Sequence, residues 1–97
     1  MNTVRSFHYV YVLRSTRNGD WYTGCTSDLR KRVTEHNEDK SSYTKDRGPY
    51  ELIYYEASLD KADAFARERY LKSGMGKRYI KNRLKTQLSE ELLGESR

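Results

Sequence analysis

Three side chains stand out by their type and spacing. Arg32 and His36 lie four residues apart in LRKRVTEHN, a stretch with helical periodicity, so they share one side of a helix. Leu29 and Val33 mark the apolar stripe of that helix. Arg32 and His36 flank it, while Lys31 and Glu35 point to solvent. A guanidinium beside a core needs an anionic or carbonyl partner, because burying it unpaired is costly. That partner is either a group of the protein or an anionic ligand. The third side chain is Glu68. It is the single acid between Ala66 and Lys85, among Arg67, Arg69, Lys72, Lys77, Arg78, Lys81, Arg83 and Lys85. Such a carboxylate either joins a surface ion pair or holds a divalent cation beside a surface that receives phosphates.

The elements that must position these groups can be read in order. Phe7–Arg14 alternates with apolar residues on both faces, as in a strand covered on two sides. The Asn18-Gly19 pair is a hairpin signal, and Trp21–Cys25 returns as a second strand. Gly24 inside that strand marks a bend or the close approach of another group. Thr26, Ser27 and Asp28 offer capping oxygens for a helix over Leu29–Asn37. A polar, basic loop over Glu38–Tyr50 leads to a third strand at Glu51–Glu56, reached by a crossover through the helix. Ser58 caps a second helix over Leu59–Lys72, with Leu59, Ala62, Phe65, Ala66 and Tyr70 as its inward face. Arg69 falls inside that arc without a reason. A last helix over Lys77–Gln87 turns Ile80 and Leu84 inward.

The fold class is therefore α/β (α+β): a small three-stranded mixed or antiparallel sheet flanked by helices, in the order β-β-α-β-α-α. Ninety-seven residues allow one domain, 1–97, with a core over about 7–86 and a flexible tail over 88–97. The net charge of +5 makes nucleic acid the first partner to consider. Arg30, Lys31, Arg67, Lys72, Lys77, Arg78 and Lys81 are candidates for phosphate contacts. Cys25 is the only cysteine, which excludes an internal disulfide. No stretch reaches the ~20 apolar residues of a membrane span, and MNTVRSFHYV lacks the apolar run of a signal peptide. The expected compartment is the cytoplasm and the expected state a monomer.

The segments YVYVLRS, WYTGCTSDLRKRVTEHN, YELIYYE and ARERYLKSGMGKR, in this order, resemble the GIY-YIG nuclease superfamily. They are most similar to its small stand-alone bacterial members (UPF0213-like). The resemblance covers about residues 7–85. It implies a functional tyrosine at Tyr11, which ends the first motif as Tyr9-Val10-Tyr11, and a second at Tyr22 in Tyr22-Thr23-Gly24. It further implies that Arg32 and His36 on the first helix belong to the site, that Glu68 binds a metal, and that Asn82 completes the group. The first motif has Tyr9 in place of its glycine. Cys25 stands where some relatives keep a lysine, so a phosphate-facing cation must come from Lys31, Lys72 or Arg30.

The activity so implied is hydrolysis of phosphodiester bonds in DNA, branched or single-stranded forms included, in repair or recombination. Glu68 would hold Mg²⁺ or Mn²⁺, and Arg32 would clamp the non-bridging oxygens. Tyr22 would orient or activate water with help from Tyr11. His36 could take the proton instead, since imidazole titrates near neutrality. The alternative is a weak or inactive nucleic-acid-binding module of the same fold. A protein-interaction adaptor using the tyrosine-rich sheet is a further rival. An RNA-recognition fold is disfavoured, because no strand carries its aromatic-glycine signature.

Overall fold

Asn18 and Gly19 turn the chain as their types dictate. Gly19 takes a φ of 80°, and the Asp20 amide donates to Asn18 Oδ1 at 2.9 Å. Buried Ser15 closes the turn from inside, its Oγ accepting from the amides of Arg17 and Asn18. In the computed structural model, which describes residues 6–38 and 47–95, this turn joins β1 (His8–Ser15) to β2 (Trp21–Thr26). There follow α1 (Leu29–Asn37), β3 (Tyr50–Ser58), α2 (Lys61–Lys72), α3 (Gly74–Arg83) and α4 (Lys85–Glu95). Most of the loop expected over Glu38–Tyr50 lies outside the described residues.

The sheet order is β2-β1-β3, with both pairings antiparallel. β2 and β3 thus run in the same direction on either side of β1. The link between them is a crossover that carries α1 over one face, as the sequence pattern indicated. On that face Tyr11, Leu13 and Tyr50 pack with Tyr22, Leu29, Val33 and Leu52. On the other face Val10, Val12 and Ile53 pack with Ala64, Leu71 and Ile80 of α2 and α3. The two-sided apolar pattern of β1 is explained by its central place between these layers.

Helix α1 occupies the expected residues because Asp28 caps it, accepting from the Lys31 amide at 3.1 Å. At its far end Asn37 clasps the start of β3. Its Oδ1 accepts from the Tyr50 amide at 2.7 Å and its Nδ2 donates to the Tyr50 carbonyl at 3.0 Å. Both ends of α1 are therefore fixed.

Helix α2 differs from expectation in its start and its rotation. Ser58 ends β3, and Asp60 is the cap, accepting from the amides of Ala62 and Asp63. The inward residues are Ala64 and Leu71, with Arg67, Glu68 and Tyr70 half-buried. Ala62 and Ala66 are exposed, and so are Leu59 and Phe65, at 45% and 41%. The cause is Arg67. Its guanidinium donates to both carboxylate oxygens of Glu56 at 2.5 and 3.1 Å and lies over the rings of Tyr70 and Tyr79. A cation satisfied in this way can lie half-buried on the inner side of the helix, and it turns the helix so that Arg69 reaches solvent.

Ser73 separates α2 from α3 and serves both. Its Oγ donates to the Tyr70 carbonyl and accepts from the Gly76 amide at 3.1 Å. Helix α3 therefore begins at Gly74, three residues before the expected start, and Ile80 and Leu84 pack inward as anticipated. The segment from residue 88, expected to be a flexible tail, continues as helix α4 through Glu95.

Gly76 is where α3 meets α2. A Cβ there would overlap the Tyr70 carbonyl oxygen and Leu71 Cα, both backbone atoms that cannot step aside. Gly74 has open space around it. Gly76→Ala is expected to destabilise the fold by about 2–3 kcal/mol, an overpacking penalty. Gly74→Ala should be neutral or stabilise by up to about 1 kcal/mol through helix propensity. Urea unfolding of the two variants beside the parent chain measures both.

Candidate active site

The site is built around a missing side chain. Tyr11 on β1 faces Gly24 on β2 in the strand register. A Cβ at Gly24 would overlap the Tyr11 hydroxyl and ring. Gly24 thus admits the Tyr11 phenol against the sheet, which is the close approach its place within a strand signalled. Tyr11 is 1% exposed and His36, above it on α1, is 0% exposed. The Tyr11 hydroxyl and His36 Nε2 form a hydrogen bond of 2.9 Å. Tyr22 adds a third ring, with centroid distances of 4.9 Å to His36 and 6.3 Å to Tyr11.

Burial sets the protonation of this pair. Loss of solvent, reinforced by the neighbouring Tyr22, pushes the Tyr11 hydroxyl up to about 12, although Arg32 acts in the opposite direction. Loss of solvent, then the Arg32 charge, lowers His36 to about 4. Both groups are therefore neutral across the physiological range. Burial thus holds His36 below the ordinary basicity of imidazole, because the charged ring loses its solvation there. Cys25 also lies among groups that disfavour its ionised form. Its thiol is raised by burial and by the Glu68 carboxylate, with Lys61 opposing.

Arg32 stands at the rim. Nη1 donates to Glu35 Oε1 at 3.2 Å, and both side chains are about a third exposed, at 33% and 31%. Glu35, expected to face solvent, turns back to this pair. The i,i+3 spacing was the available signal for it. Arg32 also bears on the hydroxyl of Tyr11. Glu68 faces the sheet from α2, close enough for its charge to act on both Tyr11 and Cys25. One turn on, Lys72 Nζ lies 2.9 Å from Glu68 Oε2.

Beside Tyr22, along edge strand β2, is a concavity of about 360 Å³ lined by Trp21, Tyr22, Thr23, Lys72 and Lys77. Lys81 Nζ lies 6.0 Å from the Trp21 ring centre. The remaining candidates fall elsewhere. Arg30 borders a separate groove with Tyr9 and Tyr55, and Lys31 and Arg78 are exposed. Arg67 is held by Glu56 in the structural cluster described above. Asn82 is exposed on α3 and, among the described residues, hydrogen-bonds to none of the other candidates. It sits two residues from inward Ile80, nearly opposite it on the helix.

Among the described residues no three His, Cys, Asp or Glu side chains cluster as a ligand set. A lone, sheltered carboxylate fits an ion such as Mg²⁺, which takes one or two protein carboxylates and keeps its waters. No helix among the described residues is long and apolar enough to cross a membrane.

Residues 7–86 match the GIY-YIG catalytic domain, and the chain belongs to that family. Within it, the chain is similar to the UPF0213 proteins. It is 46% identical over 66 residues to UPF0213 protein YazA of Bacillus subtilis, a span of 67% of this chain and 66% of that protein. It is 35% identical over 89 residues to UPF0213 protein HQ_3675A of Haloquadratum walsbyi, covering 91% and 92%. The solution NMR structure of UPF0213 protein BH0048 from Bacillus halodurans has 36% identity and a TM-score of 0.48, over 76% of this chain and 81% of that one.

The buried histidine makes a pH prediction. Its folded value, about 4, lies below the ordinary imidazole value, so folding favours the neutral ring. The associated stability is fully present above about pH 6.5 and is lost as pH falls toward 4, up to about 3 kcal/mol. His36→Gln removes this share, so the fall in urea-unfolding stability from neutral pH to about pH 4 should be shallower by a similar amount.

Proposed function

We propose that the chain is a divalent-cation-dependent endonuclease that hydrolyses phosphodiester bonds in DNA. The observation that carries this reading is the cluster around Gly24, where Tyr11 and His36 hydrogen-bond beside the Tyr22 ring with Arg32 at the rim. Glu68 acts on Tyr11 by its charge from α2, and its ion-pair partner Lys72 lines the concavity beside Tyr22.

Phosphodiester hydrolysis requires a water to be directed at phosphorus, added negative charge to be stabilised, and a leaving oxygen to be assisted. Arg32 takes the charge-stabilising part. Its present partner, Glu35, is a partly exposed ion pair, a kind worth only about 0–1 kcal/mol. A phosphodiester that offers two non-bridging oxygens to the planar fork can displace that carboxylate. Glu68 would hold Mg²⁺ or Mn²⁺, and the ion would supply charge to the phosphate and the leaving group.

Tyr22 is the better candidate for directing the water. It is half-buried and opens onto the concavity, whereas His36 is fully enclosed and bonded to Tyr11. Tyr11 and His36 then act as positioning groups that hold Tyr22 and Arg32 in place. Lys72, Lys77 and Lys81 would contact backbone phosphates without reading bases, so affinity would fall steeply with salt.

Supercoiled plasmid, branched DNA, single-stranded DNA and RNA should be incubated with Mg²⁺, Mn²⁺ or EDTA. Cleavage of DNA with either metal, and none in EDTA, is expected. Arg32→Ala and Glu68→Ala should each lower the rate by about 10²–10³-fold, the range for losing one charge-stabilising group. Tyr22→Phe should lower it similarly. Equal cleavage by the parent chain and both charge variants would contradict the assignment. Binding without cleavage of any substrate would replace it with the non-catalytic reading.

A further inference from the structure

Lys72 is shared between two places. Its ammonium lies 2.9 Å from Glu68 Oε2, and its side chain lines the concavity beside Tyr22. The partners differ in exposure, at 54% for the Lys72 side chain and 19% for Glu68. A solvent-facing ammonium thus reaches in to cover a sheltered carboxylate. The attachment is light, because an i,i+4 pair on a helix is worth about 0.3–0.5 kcal/mol. A divalent ion on the same carboxylate carries twice the charge and competes for the same oxygens. Once displaced, the ammonium has its flexible four-carbon stem and the Tyr22 side of the concavity within reach.

We propose that Lys72 exchanges partners during binding. It covers Glu68 in the resting protein, and when that carboxylate takes a divalent ion its ammonium turns to a backbone phosphate oxygen beside Tyr22. The proposal rests on the nuclease reading, since it concerns the same carboxylate and the same substrate. It assigns Lys72 a duty that residue 25, a cysteine, does not fill: a cation facing the phosphate. It also couples the two ligands. Each draws Lys72 to where it helps the other, so ion and nucleic acid bind more tightly together than separately. An ordinary helix-surface pair has no such consequence. Lys77 is the matched control, since it lines the same concavity and has no ion pair with Glu68 among the described residues.

The test measures Mn²⁺ affinity by electron paramagnetic resonance. It uses the full chain alone and with a short phosphorothioate-linked DNA, which resists hydrolysis. Lys72→Met should bind Mn²⁺ about two- to tenfold more tightly than the parent chain, because the competing ammonium is gone. The tightening produced by the DNA should shrink in Lys72→Met and persist in Lys77→Met. Equal Mn²⁺ affinities for Lys72→Met and the parent chain, or the same change in both lysine variants, would overturn the exchange while leaving the nuclease reading intact. An affinity untouched by Glu68→Gln would remove Glu68 as the ion's ligand, and both readings would then fall.

Discussion

The hydrogen bond between Tyr11 and His36 is the contact on which the site depends. It lies in the dry layer between α1 and the sheet, and it exists because residue 24 has no side chain. With both partners neutral, the bond is made without burying charge, and the low dielectric strengthens it. It ties α1 to β1 in the same place where the Tyr22 ring lies against His36 and Arg32 bears on the Tyr11 hydroxyl. Asn37 and Asp28 hold the two ends of the helix, so its middle, where Arg32 projects, has little freedom to shift.

Charge divides into two classes around this centre. Arg67 and Glu56 form a two-point pair covered by aromatic rings, and removing either partner would leave a charge without compensation. That pair is part of the fold. Arg32 and Glu68 are different. Each is neutralised from within its own helix, by Glu35 and Lys72, across partly exposed contacts of small energy. Such contacts exchange at small cost, and under the proposed function a phosphate or a divalent ion would displace the resident partner. Exposure alone does not draw this distinction, since Arg67 and Arg32 are similarly exposed.

Local signals carried the parts of the fold that local chemistry controls. The Asn-Gly turn, the Asp28 cap and the alternation of β1 made the hairpin and α1 legible, and the family resemblance supplied Tyr11 and Tyr22. The oddly placed Arg32 and the strand-breaking Gly24 were visible as anomalies, and each is explained by a contact across elements. Hydrophobicity alone assigns α2 the wrong face, because it treats every arginine as outward, and the Glu56 that satisfies Arg67 lies on the preceding strand, outside the helix's own periodicity. Arg69, which made no sense within the expected arc, marked that error. The acidity of His36 was equally hidden, since depth of burial is set by packing of α1 on three strands rather than by neighbours in sequence. Asn82, carried over by distance along the chain alone, lies exposed on α3.

On the proposed function, a glycine-admitted, neutral tyrosine–histidine pair presets the hydrolytic site. Gly24→Ala tests this most directly, because the added methyl group strikes the Tyr11 hydroxyl and ring. The measurement is the rate of metal-dependent DNA cleavage by this variant, with circular dichroism confirming that it is folded. A fall of about a hundredfold is expected, the size that follows when positioning is lost by roughly an ångström. Cleavage at the parent rate by a folded Gly24→Ala protein would contradict it.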